Sequence, residues 1–125
     1  GVEEIICGGF EHFYIWDKSG LLILDQNVPG LNTWDFQPIL ADIDEDDDIE
    51  IIIGSVNNSL YAFNIDGSLA LGWPVRTDGV IYSTCAVGDI NNDGKNEIVC
   101  GSGDGILHIW QTRNTMRSQL IAMIT

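Results

Sequence analysis

Two acidic segments of this chain follow one pattern, 47 positions apart. Asp42-Ile-Asp-Glu-Asp-Asp-Asp-Ile-Glu50 runs into Ile51-Ile52-Ile53, and Asp89-Ile-Asn-Asn-Asp-Gly-Lys-Asn-Glu97 runs into Ile98-Val99-Cys100. Self-similarity at a period of roughly 20–50 residues marks a repeat architecture, and it decides the fold before any single element does. The register extends beyond the acidic segments. Glu4, Glu50 and Glu97 are each followed by three apolar residues and a glycine, Gly8, Gly54 or Gly101. A second segment then carries aromatic rings at matched places: Tyr14 and Trp16, Tyr61 and Phe63, His108 and Trp110. After it comes Gly20, Gly67 or Asn114, residue types that accept the left-handed backbone of a tight turn.

Each unit reads as four short strands, in the middle copy residues 38–43, 49–55, 59–65 and 69–77. No segment sustains a 3.6-residue apolar period, so the expected class is all-β. Ile51-Ile52-Ile53 and Leu60-Tyr-Ala-Phe63 are apolar on both alternating faces. A sheet with one face in water would alternate apolar with polar, so these sheets are expected to be covered on both sides. Four-stranded units of 46–47 residues with two covered faces fit the blades of a β-propeller, stacked radially about an axis.

The acidic loop, the apolar strand and glycine after it, and Leu60-Tyr-Ala-Phe-Asn-Ile-Asp-Gly-Ser-Leu-Ala-Leu-Gly-Trp-Pro-Val75 resemble FG-GAP repeats of the bacterial VCBS type, relatives of the calcium-binding blades in the integrin α-chain propeller. The resemblance covers residues 1 to about 111. It implies a calcium-binding propeller of a secreted or cell-surface protein, serving adhesion, binding or scaffolding. In this register Gly1 matches Gly94 and Glu4 matches Glu97, so the chain reads as an excerpt. Residues 1–37 form a blade without its inner strand, 38–83 a complete blade, and 84–125 a third blade with an atypical last strand. The tail 118–125 is expected either on the outer side of its own blade or as an inner strand donated to another copy. Partners would be the remaining blades or other copies of the chain, and a protein or carbohydrate ligand.

Oxygen side chains two residues apart in a tight loop converge on one point, which suits a hard cation with six to eight oxygen ligands. In the first loop Asp42, Asp44 and Asp46 offer one carboxylate oxygen each, Asp48 its backbone carbonyl, and Glu50 closes the site. In the second the set is Asp89, Asn91, Asp93, the carbonyl of Lys95, and Glu97. About two calcium ions are expected, the first loop binding more tightly because its ligating side chains carry four formal charges against three. Position six holds Asp47 in one loop and Gly94 in the other; a positive φ there is free for glycine and costly for aspartate. Magnesium, with its strict octahedral preference, is disfavoured.

The formal charge is −14, and ten of the 19 acidic residues lie in the two loops. That balance argues against nucleic acid and anionic membranes as partners, and its placement points to cation binding. No apolar run reaches the roughly 18 residues of a membrane span. Cys7, Cys85 and Cys100 are odd in number and lack metal-ligand spacing, so they are expected as unpaired, small apolar residues. His108 reads as a core aromatic, and neither His108 nor His12 reads as placed near a nucleophile. Trp16, Phe63 and Trp110 read as one repeated core position, Trp34 and Trp73 as packing between blades, and the sequon at Asn57 as chance.

No catalytic residue is expected, and the chain is not read as an enzyme. Two alternatives remain. A propeller-fold polysaccharide lyase or other secreted hydrolase would need basic groups clustered in its groove, whereas the five Lys and Arg residues share no repeat position. A quinoprotein-like propeller would share Leu60-Tyr-Ala-Phe63 and a downstream tryptophan, but the acidic loops argue against it.

Overall fold

The computed structural model describes residues 3–31, 37–82, 84–112 and 118–124, the last stretch as backbone. Trp34, Asn114 and residues 115–117 lie outside them. Every regular element among the described residues is a strand, and the chain is all-β. The first sheet comprises β1 (Glu4–Gly9), β2 (His12–Asp17) and β3 (Leu22–Asn27). The second holds β4 (Ile39–Ala41), β5 (Glu50–Gly54), β6 (Ser59–Phe63) and β7 (Val75–Arg76), and the third β8 (Ala86–Gly88), β9 (Glu97–Gly101), β10 (Leu107–Thr112) and β11 (Ser118–Ile124). Each sheet is an antiparallel meander in chain order. The tail strand β11 pairs with β10 at the outer edge of its own sheet, Leu107 opposite Ile124.

The hairpins repeat in conformation as well as in position. Glu11, Asn58 and Gly105 stand at matched turn positions with φ of 55°, 66° and 80°. The fourth strand of the second sheet is shorter than the sequence suggests. Ala70 to Trp73 close a turn, the Trp73 N–H donating to the Ala70 carbonyl at 3.1 Å, and Pro74 has no N–H to continue a ladder.

The sheets pack face to face in chain order, and the second is the shared layer. Ile51, Ile53, Tyr61 and Phe63 join Phe13, Ile15, Val28 and Leu31 in one core, toward the first sheet. Ile52, Leu60 and Ala62 join Ile98, Cys100 and Trp110 in the other, toward the third. Side chains alternate along a strand, so a strand between two cores must be apolar at consecutive positions; every residue of β6 is buried. Trp73 lies in the joint between the second and third sheets, its ring 6.3 Å from that of Trp110 and its indole N–H donating to Thr112 Oγ1 at 3.1 Å. Gly54 ends β5 against Ile81, whose side chain fills the space a Cβ would need. Trp16 is only half-buried, unlike Phe63 and Trp110 at the same repeat position.

The cysteines depart from expectation. Cys85 and Cys100 form a disulfide with a Cα–Cα distance of 4.5 Å. The cause is register: β8 pairs with β9 so that Ala86 faces Val99, and one step outward places the two cysteines opposite each other, at the spacing of a close cross-strand pair. Cys7, in the same repeat position as Cys100, is unpaired but exposed rather than packed, because with Ile5 it lies on the face of the first sheet opposite the core that Ile6, Phe13 and Ile15 join. No helix among the described residues is long and apolar enough to cross a membrane.

Candidate metal centre

Each acidic loop connects the first two strands of a four-stranded sheet, and its closing glutamate is the first residue of the second strand. Glu50 pairs with Ala41 and Glu97 with Gly88, so both glutamates lie at the loop base, and both are fully buried. The loops share one backbone design. Asp47 and Gly94 have φ of 70° and 84°, Glu45 and Asn92 of 67° and 60°. The first aspartate gathers the turn, Asp42 Oδ2 accepting the Asp47 N–H at 3.2 Å and Asp89 Oδ2 the Gly94 N–H at 2.8 Å. Asp46 and Asp93 each accept the N–H two residues on, from Asp48 and Lys95, both at 2.9 Å. Glu50 Oε2 accepts the Ile43 N–H at 2.9 Å, and Glu97 Oε2 the Ile90 N–H at 2.8 Å.

Asp42, Asp44 and Glu50 each bring one oxygen within 4.8 Å of the others, as do Asp89, Asp93 and Glu97. Ion–oxygen distances of about 2.3–2.6 Å allow ligand oxygens up to roughly 5 Å apart across a calcium ion, so both triplets fit one. Asp46 and Asp48, exposed, stand outside the first triplet, and Asn91 and Lys95 flank the second.

The two sites differ inside. In the first, Glu50 Oε1 and Asp44 Oδ1 are buried and have no hydrogen-bond partner. Burial chiefly, opposed by the Ile43 N–H and reinforced by Asp44, Asp46 and Asp42, pushes the Glu50 carboxyl up to about 7. Burial and the neighbouring Asp46 charge likewise raise Asp44. A buried carboxylate oxygen beside like charges and without a donor is unfavourable, and a proton or a cation would relieve it. In the second loop a protein donor is already present. The Gln111 amide donates to Glu97 Oε1 at 2.6 Å and to Asp93 Oδ2 at 2.9 Å, and the second bond leads the effects that lower the Asp93 carboxyl.

A further polar cluster corrects the expectation that neither histidine lies near a nucleophile. His108 Nε2 stands 3.3 Å from Ser102 Oγ and 3.2 Å from Asp104 Oδ2, and Ser102 also bonds Asp104. One ring nitrogen meets both partners, whereas a proton relay needs the acid on the opposite nitrogen from the hydroxyl. The cluster is a hairpin staple, and Asn57 Nδ2 donating to the Tyr61 hydroxyl at 2.8 Å is its counterpart one repeat earlier. His12, near its hairpin tip, pairs with Asp25 at 2.6 Å. Counting residues across the hairpin would have brought Gln111 to Glu97, whereas Asp104 lies in the turn four residues before His108.

Beside the first loop lies a cleft of about 380 Å³, with Asp46, Asp48 and Asp66 among its acidic lining and Ile65, Leu69 and Leu71 on its apolar side. No protein-family model matches the chain, and no curated protein matches it either.

Proposed function

We propose that this chain is a calcium-stapled segment of a β-propeller, serving as a non-catalytic binding or scaffolding module of a secreted or cell-surface protein. Glu50 carries the reading: fully buried, with one oxygen on the Ile43 N–H and the other unpartnered beside Asp42 and Asp44. Asp42 and Glu50 would hold the ion from the two ends of the loop, with Asp44 between them. The ion would supply positive charge and oxygen coordination, and binding only to the folded chain it adds stability by mass action. Face-to-face sheets in chain order are the relation that successive blades have, and the Cys85–Cys100 disulfide suits an oxidising compartment. The cleft beside the first loop is the surface offered to a protein or carbohydrate partner.

Calorimetric titration of the chelated protein with calcium is the test. About two sites are expected, lost together in the double variant Asp42→Ala, Asp89→Ala. No binding, or binding unchanged in that variant, would overturn the assignment.

A further inference from the structure

The residue facing the closing glutamate across the hairpin differs between the two sheets. Gln111 pairs with Glu97 in the β9–β10 ladder. One step beyond the Ile51–Phe63 pair of β5 and β6, the residue facing Glu50 is Asn64. Gln111 is buried and places its amide on two loop carboxylates, Glu97 and Asp93. Asn64 is one methylene shorter, and its amide donates to Ser68 Oγ at 3.0 Å instead. The glutamate oxygen that Gln111 satisfies in the third sheet has no partner in the second.

We propose that Gln111 acts as an internal stand-in for a cation, so that the second loop keeps its shape without metal while the first depends on one. Two charge-assisted N–H bonds from one amide tie the middle of the loop, Asp93, to its base, Glu97, which is the connection a bridging ion makes. The first loop has the same backbone turns and the same Glu50–Ile43 bond but nothing across the mouth except its carboxylates. An ion entering the second loop must displace the amide N–H or turn the amide to present its oxygen; an ion entering the first loop meets open oxygens. The loops therefore divide the work: one is a standing structural turn, the other a calcium-dependent one. The inference rests on the calcium reading only for the first loop, since Gln111 acts in the metal-free protein.

Amide hydrogen exchange followed by NMR, in excess chelator and again with calcium, separates the two. In chelator the amides of Ile90, Gly94 and Lys95 should exchange at least about tenfold more slowly than those of Ile43, Asp47 and Asp48. Calcium should slow the first loop strongly and the second little. Gln111→Met, similar in length but without donors, should bring the second loop to the exchange rates of the first in chelator. Asn64→Gln, distant from the third sheet's packing, is the complementary variant and should slow exchange in the metal-free first loop. Equal exchange in both metal-free loops, or a second loop indifferent to Gln111→Met, would overturn the inference. A first loop indifferent to calcium, with the Gln111 effect intact in chelator, would instead overturn the calcium reading and leave the stand-in role supported.

Discussion

Asn96, in the second acidic loop, donates its side-chain N–H to the backbone carbonyl of Asp42, the first residue of the first loop, at 3.0 Å. Lys95 Nζ also reaches Glu45 Oε2 at 3.4 Å. The loops of adjacent sheets therefore touch, through one half-buried hydrogen bond and one exposed ion pair. The ion pair is worth little in water, so Asn96 carries the contact. Asn96→Ala is expected to weaken calcium binding at the first loop about five-fold, the equivalent of one ordinary hydrogen bond, with Lys95→Ala changing it much less. Calorimetry on the two variants checks this, and an Asn96→Ala protein with unaltered affinity would count against coupling.

Glu50 sets an unusual pH response. Its folded value of about 7 lies above the ordinary 4.5, so between them the folded state keeps a proton the unfolded chain has lost. The stability it contributes is full below about pH 4.5 and is lost as the pH rises through about 7. In chelator the melting temperature should fall from about pH 5 to about pH 8, and saturating calcium, which favours the ionised carboxylate, should flatten the decline. Calcium affinity should rise by up to about tenfold per pH unit below 7, because one proton leaves as the ion enters. Melting curves across that range decide it; a chelated profile that rises with pH would be the wrong sign.

How much of this was legible depended on distance along the chain. Asp42, Asp44 and Glu50 share one nine-residue loop, so the convergence of their oxygens could be read directly from their spacing. The double-faced burial of Ile51 to Ile53 was equally legible, because consecutive apolar residues in a strand have only one explanation. Gln111, Asn96 and the Cys85–Cys100 pair were not. Each acts across a hairpin or between sheets, where a one-residue error in a strand boundary moves the partner to the other face. Cys85 and Cys100 stand one step outward from the facing pair Ala86 and Val99, a register that an odd cysteine count does not suggest.

Reduction of the Cys85–Cys100 disulfide should destabilise the chain. It closes a segment of 15 residues around the second loop, and release of such a loop costs about 3 kcal/mol in the chain-entropy account. A drop in melting temperature on the order of 10 °C is expected with reductant, absent in a Cys85→Ala, Cys100→Ala protein whose starting value is already low.

The first sheet should drive self-association. Its edge strand β1 exposes Ile5 at 55%, the adjoining turn exposes Phe10 at 77%, and β3 exposes Leu22 and Ile23. Unpaired edges and exposed apolar side chains promote association. Light scattering should show mass rising with concentration, and exposed Cys7 should form linked dimers without reductant that Cys7→Ser abolishes. A monodisperse monomer at high concentration would contradict this.

Ile51 and Ile52 are neighbours in sequence and belong to different interiors, the first packed toward Phe13 and the second toward Trp110. Strand β5 is thus a party wall. A slip of one residue would not push its isoleucines into water, as in an ordinary sheet; it would trade tenants between two rooms furnished differently, aromatic on one side and tryptophan-and-disulfide on the other. Misregistered chains of this kind would remain compact and apolar inside, and mismatched shape rather than exposed surface is what holds the native alignment.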